Sequence, residues 1–227
     1  MAEYKLINGD CLAEMRKMDS NSFDYAFTSP PYNRKRNDKY EHYNDNIEDY
    51  FKFLVDVTDE MLRLCKKGVF FNIQTTLYNR VDVYRYIGHY AEKIQEIFVW
   101  EKDNPMPAQG NHITNAVEYF FFLGNERPQS ATTYTKNVVH SSVAIMPKEH
   151  KAVMNDKVCD WFITNFIPKG SKVLEPFAGY GTTLLTCLKH DIDCVGIEIV
   201  PRYCEMIEER LGRGIQLSLF NLSATHP

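Results

Sequence analysis

An α/β layered domain with a mostly parallel sheet is the fold class this sequence predicts, and three observations predict it. Apolar strand-like runs alternate with helix-period segments along the chain. A glycine pair, Gly179 and Gly181, stands at a turn between a strand-like and a helix-like segment. A short strand, Phe23–Phe27, runs into Ser29-Pro30-Pro31-Tyr32, where two consecutive prolines force an abrupt exit from any central strand.

After that exit the chain is polar from Asn33 to Asn46, which reads as a loop. Ile47, Tyr50, Phe51, Leu54, Val57, Met61, Leu62 and Cys65 then recur at helical spacing, with Gly68 as the expected stop. Val69–Ile73, Ile94–Trp100 and Ala116–Leu123 read as buried strands. The stretch Asn125–Ser142 is polar and reads as the least structured part of the interior. Asn155–Phe166 reads as a helix ended by Pro168, and Lys172–Leu174 as a strand entering the glycine turn. A helix to about Leu188, a strand over Cys194–Ile199 and a helix over Arg202–Leu211 complete the pattern.

At 227 residues, 44% hydrophobic and 25% charged, the chain has ordinary globular composition, and one domain over 1–214 with a tail over 215–227 is expected. No apolar run is long enough to span a bilayer and no signal-peptide pattern opens the sequence, so a cytoplasmic protein is expected. The six cysteines form no CxxC pair and no His/Cys ligand spacing, which predicts reduced, mostly buried thiols and no metal site. A net charge of −4 does not itself suggest a polyanion partner, although local positive potential can coexist with an acidic total.

Two stretches carry chemistry. No Lys-Ser/Thr follows Gly179 and Gly181, so the turn is not a nucleoside-triphosphate phosphate loop. Glu198, at the end of the next strand, is placed to accept hydrogen bonds from ribose hydroxyls, so the pair indicates a nucleoside-bearing cofactor. In Ser29–Tyr32 the prolines fix the backbone and withdraw their N–H groups. The Ser29 hydroxyl and the Pro30 carbonyl then suit the two donors of a planar amine, and the Tyr32 ring suits stacking on an extruded base.

Together these stretches resemble the amino-group DNA methyltransferases, in the permuted order that places the catalytic motif before the cofactor motif. The resemblance covers roughly residues 4–211. Ser29, Pro30, Pro31 and Tyr32 match the catalytic motif, and Glu175 to Gly181, with Phe177, match the acidic-Pro-Phe-x-Gly-x-Gly motif that Thr182 and Thr183 follow. Glu198 matches the ribose-binding acid, and Gly9-Asp10 the pair contacting the adenine. His150 and Lys151 resemble a cofactor segment whose usual proline is here Lys151.

The resemblance implies S-adenosyl-L-methionine as cofactor, DNA as substrate, base flipping, and a prokaryotic or phage restriction-modification setting. It also implies a Rossmann-like sheet of about seven strands, helices on both faces and one antiparallel edge hairpin. Thr-Ser-Pro-Pro-Tyr is mostly found with cytosine N4 in that family and Asp-Pro-Pro-Tyr with adenine N6, so cytosine is the expected target and adenine the alternative. A catalytically silent nucleic-acid-binding subunit is a further alternative, against which the intact motif residues speak. The family's target-recognition region would fall in 124–149, which is short. A short site, a homodimer, or recognition through the Asn33–Asn46 loop all remain open. Arg34, Lys35, Arg36 and Lys39, next to Tyr32, are the expected phosphate contacts. Gln216, Leu217, Ser218, Leu219 and Phe220 resemble the pentapeptide that docks on the bacterial sliding clamp, with a final edge strand as the other reading.

Overall fold

A computed structural model describes residues 2–35, 45–108, 110, 112–143 and 153–223, the side chains as far as Gly212. The element order is β1 (Tyr4–Asn8), α1 (Cys11–Met15), β2 (Phe23–Thr28), α2 (Tyr50–Leu64), β3 (Cys65–Ile73), α3 (Arg80–His89) and β4 (Ile94–Lys102). It continues with β5 (Val117–Leu123), β6 (Val138–Ser141), α4 (Asp156–Phe166), β7 (Lys172–Glu175), α5 (Thr182–Lys189), β8 (Asp193–Glu198) and α6 (Pro201–Ser223).

The strands form one sheet in the order β1-β8-β7-β2-β3-β5-β4-β6. Only the two pairings of β5 are antiparallel, so seven of the eight described strands run one way. The expected antiparallel hairpin is present as β4–β5, but it is not an edge. β6 pairs parallel to β4 beyond it, and it comes from a stretch whose polar sequence reads as unstructured.

Strand periodicity explains the core. Alternate residues of a strand face opposite sides. Phe121 and Leu123 therefore join the layer under α1–α3, and Phe120 and Phe122 the layer under α4–α6. A run of three phenylalanines is what a strand covered on both faces requires. Five of the cysteines are buried and all six are free thiols.

Two element boundaries differ from expectation. The α2 helix stops at Leu64, and Cys65 is already extended (φ −104°, ψ 130°) and opens β3, so Gly68 is a strand residue and not a helix stop. Its role is close approach: a Cβ there would sit 2.4 Å from Phe122 Cζ and 2.7 Å from the Leu123 carbonyl. Gly68→Ala is therefore expected to destabilise the fold by about 2 kcal/mol or more in urea unfolding, with Phe122→Leu restoring part of the loss. Unchanged stability of the single variant would disprove this account. At the other end, α6 continues to Ser223, so Gln216–Phe220 lie on that helix, neither beyond it nor on an edge strand.

The crossovers position the site. β2→β3 moves toward one side of the sheet and β7→β8 toward the other, so the connections diverge between adjacent β2 and β7. In open α/β sheets the crevice at such a switch, beyond the carboxyl ends of the strands, is where ligands bind. Both chemistry-bearing stretches emerge there: Ser29 follows β2 and Pro176 follows β7.

Candidate active site

The cofactor side is built from β7, β8 and the start of α5. Gly179 (φ +54°) and Gly181 (φ +76°) take left-handed conformations at the turn, which favours glycine. A Cβ on Gly181 would also stand 3.0 Å from the Ile207 side chain. Glu198 ends β8, nearly buried, and its oxygens accept the Gly179 N–H at 2.8 Å and the Val200 N–H at 2.9 Å. Burial raises its carboxyl above the usual range, and those backbone N–H groups act against the rise. A carboxylate oxygen has more than one lone pair, so Glu198 retains acceptor capacity toward a diol. Gly9, after β1, donates to the Glu198 carbonyl at 3.0 Å and brings Asp10 to the same edge. There Asp10 caps α1, accepting from Ala13 N–H at 2.9 Å. Phe177 packs edge-on against Phe53 at 5.9 Å. A glycine turn, a helix N-terminus and a carboxylate with spare acceptor capacity fit a nucleoside-bearing group.

Thr182 and Thr183 meet that expectation only through their place in the first turn of α5. Their hydroxyls face protein: Thr183 donates to Glu175 at 2.7 Å, and Thr182 accepts from Arg210 at 3.2 Å.

Glu175 ties the two halves together. It accepts from Thr28, the last residue of β2, at 2.6 Å, from Thr183, and from the Phe177 N–H at 3.1 Å. Burial pushes its carboxyl up to about 8, against the pull of those three donors. A group with a raised folded-state pKa binds its proton more tightly when folded. Its contribution to stability is present below the unfolded pKa and is lost as pH rises toward 8. Glu175→Gln is expected to flatten the fall in unfolding free energy between about pH 5 and 8. Parallel profiles for the two proteins would overturn that assignment.

The catalytic side is built around Ser29 and Tyr32. Tyr50 donates to the Pro31 carbonyl at 2.6 Å and Asn79 to the Tyr32 carbonyl at 2.9 Å, pinning the turn. Among the described residues no donor approaches the Pro30 carbonyl. Ser29 Oγ lies 3.0 Å from both Tyr32 OH and Asn72 Oδ1. Tyr32 OH lies 2.5 Å from Asn72 Oδ1 and 2.9 Å from Glu118 Oε2. Burial and the Glu118 carboxylate push the Tyr32 hydroxyl well above its ordinary pKa, so it remains protonated. Asn72 Nδ2 donates to the Tyr119 carbonyl at 3.1 Å, which turns its oxygen toward the two hydroxyls. Lys102 pairs with Glu118 Oε1 at 2.7 Å, with side chains only 8% and 9% exposed.

Arg34 lies beside Tyr32. Its guanidinium sits 5.4 Å from the Tyr32 ring centroid and donates to Gln74 Oε1 at 2.7 Å. Lys35 is exposed, with a left-handed φ of +54°. Arg36, Lys39, His150 and Lys151 lie outside the described residues. Asn72, Lys102 and Glu118 do not stand out in the sequence. The available signal was one polar residue inside each of two apolar runs, Val-Phe-Phe-Asn-Ile and Val-Glu-Tyr-Phe-Phe-Phe-Leu.

Known proteins match this arrangement. A family model described as DNA methylase, of the N6/N4 type, matches residues 23–143 and 128–209. Type II methyltransferase M.MwoI of Methanothermobacter wolfeii is 28% identical over 238 residues, covering 93% of this chain and 35% of the relative. M.SmaI of Serratia marcescens is 26% identical over 265 residues, covering 92% of this chain and 91% of the relative. The chain thus spans about a third of one relative's length and nearly all of another's. Among solved structures, PvuII DNA methyltransferase (cytosine-N4-specific) superposes with a TM-score of 0.72 at 17% identity, over 89% of this chain and 84% of that one. A putative DNA modification methylase from Thermus thermophilus, complexed with S-adenosyl-L-methionine, superposes at 0.65 and 20% identity, over 93% and 96%. At these identities the structural matches speak to the fold.

Proposed function

We propose that this chain, which belongs to the DNA methylase family, methylates the exocyclic amine of a base flipped out of DNA, and that the amine is cytosine N4. The cofactor this reading requires, S-adenosyl-L-methionine, supplies an electrophilic methyl group when bound. The observation that carries the reading is the adjacency of β2 and β7: acceptors at Ser29 and Pro30 leave one strand, and the glycine turn with its ribose-suited acid belongs to the neighbouring pair.

The chain's own residues divide the work. An aromatic amine is a poor nucleophile because its lone pair is delocalised into the ring. Two acceptors at Ser29 Oγ and the Pro30 carbonyl, each taking one N–H, favour a more tetrahedral nitrogen and stabilise positive charge as it develops there. Tyr32 offers a ring for stacking, its hydroxyl anchored to β3 and β5. Glu198 and the glycine turn hold the donor so that nitrogen, carbon and leaving group align, with reacting atoms about 3–3.5 Å apart. To Arg34 we assign contact with the phosphates that flank an extruded base, and its position 5.4 Å from the Tyr32 ring centroid supports that role. The serine before Pro-Pro-Tyr, where an aspartate would favour adenine in the resembling family, supports cytosine.

The test is to incubate the protein with unmethylated genomic DNA and S-adenosyl-L-methionine, digest to nucleosides and identify methylated bases by mass spectrometry. N4-methylcytosine is the expected product. N6-methyladenine would overturn the base assignment and keep the rest. Neither base, with cofactor binding intact, would overturn the DNA reading.

A further inference from the structure

Serine is an ambivalent reader: its hydroxyl can donate to a carbonyl as readily as accept from an amine. A site that relies on serine to select amino groups needs something to settle the direction of that one proton.

The buried groups behind Ser29 have the composition to do so. Ser29 and Tyr32 bring one proton each. Facing them are two oxygens that carry none, Asn72 Oδ1 and Glu118 Oε2. The orientation of Asn72 is fixed by its other end, where Nδ2 donates to the Tyr119 carbonyl. Glu118 is kept by its ion pair with Lys102, and that lysine leaves only Oε2 to take the Tyr32 proton. Whichever acceptor Tyr32 chooses, a lone pair on Asn72 remains for Ser29. Acceptors are in surplus, so each hydroxyl proton has an inward partner within reach.

We infer that Asn72, supported by the Lys102–Glu118 pair, is a positioning residue that turns the Ser29 proton inward, so that the site presents acceptors only and selects a base edge bearing an amine over one bearing a carbonyl. The inference rests on the methyltransferase reading and adds to it the source of amine-over-carbonyl selectivity. Asn72 does not touch the base; it acts through Ser29.

The test uses the full chain and a duplex containing the methylated site found in the product assay. The target base is compared with its carbonyl counterpart: uracil for cytosine, or hypoxanthine for adenine. The opposing nucleotide is abasic, so that loss of pairing does not differ between the two. The wild-type protein is expected to bind the amine form about tenfold or more tightly. The Tyr32 oxygen, 3.0 Å from Ser29 Oγ, could also take the Ser29 proton. Asn72→Leu is therefore made in a Tyr32→Phe background, which alone should keep the preference. In the double variant the Ser29 proton is free to point outward, and the ratio should fall to within about threefold. Asn72→Asp restores an acceptor and should return most of the preference. Thermal unfolding and cofactor binding check that each variant is folded, and a purely structural role for Asn72 would not move the ratio in a folded protein. A wild-type ratio in the folded protein carrying both Asn72→Leu and Tyr32→Phe, loss of the preference in Tyr32→Phe alone, or no preference in the wild type, overturns the inference. Absence of any methylated base in the product assay instead overturns the reading beneath it.

Discussion

Ser29→Ala is expected to lower kcat for methyl transfer by about 10²- to 10³-fold while leaving KM for DNA nearly unchanged, the pattern left by removing one preorganised polar contact to developing charge. Ser29 sits where the strand ends and the prolines begin, and its neighbours are fixed independently of it. Tyr50 still holds the Pro31 carbonyl, and Asn79 still holds the Tyr32 carbonyl. The alanine variant therefore keeps the turn, the Tyr32 ring and the glycine turn, and loses the hydroxyl that we assign to the amine. Single-turnover rates at saturating cofactor separate the chemical step from binding. A proportional rise in KM with kcat preserved would show that Ser29 serves ground-state binding rather than the transition state.

Lys102→Met is the larger effect on stability, with an expected loss of about 3–5 kcal/mol, because it strands a buried carboxylate. Lys102 and Glu118 are the last residue of β4 and the second of β5, and both side chains are nearly enclosed. Lys102 also lies 5.4 Å from the Trp100 ring centroid, so a methionine of similar length keeps that packing and removes the charge. Adding Glu118→Leu removes the stranded charge, and the double variant should recover much of the loss. Urea unfolding of the three proteins makes the comparison. Equal stability of Lys102→Met and wild type would mean that the pair is solvated and that the acceptor surplus behind Ser29 is maintained differently.

Strands were the most legible elements in the sequence. Phe23–Phe27, Val69–Ile73 and the phenylalanine run each declared themselves by apolar composition, and each is buried on both faces. Less legible were elements whose stabilising contacts are distant. The α1 helix is five residues and α3 exposes Val81 and Tyr84, so neither shows a clean apolar stripe. β6 is a strand because β4 offers it a parallel edge, and nothing local in the polar stretch around it announces that.

The same division holds at the site. Ser29, Tyr32, Gly179, Gly181 and Glu198 carry their chemistry in local pattern. Asn72 and Glu118 meet Ser29 and Tyr32 across separations of 43 and 86 residues, which only the strand order reveals. The Tyr32 ring is expected from the sequence as a stacking surface, whereas the anchoring of its hydroxyl comes only with the fold.

The lone reversed strand decides which loops can diversify without cost to the catalytic machinery. Because β5 descends where its neighbours ascend, the 103–116 connection leaves from the rim that bears Ser29, whereas 124–137 turns at the opposite rim. Lengthening 103–116 would remodel the rim that bears Ser29, while growth in 124–137 would be felt first on the far side of the sheet. Lys102 and Glu118 stand near the two roots of the 103–116 connection and pair across them. A graft placed between them would inherit a fixed base, and the proline turn would keep its geometry whatever the loop came to recognise.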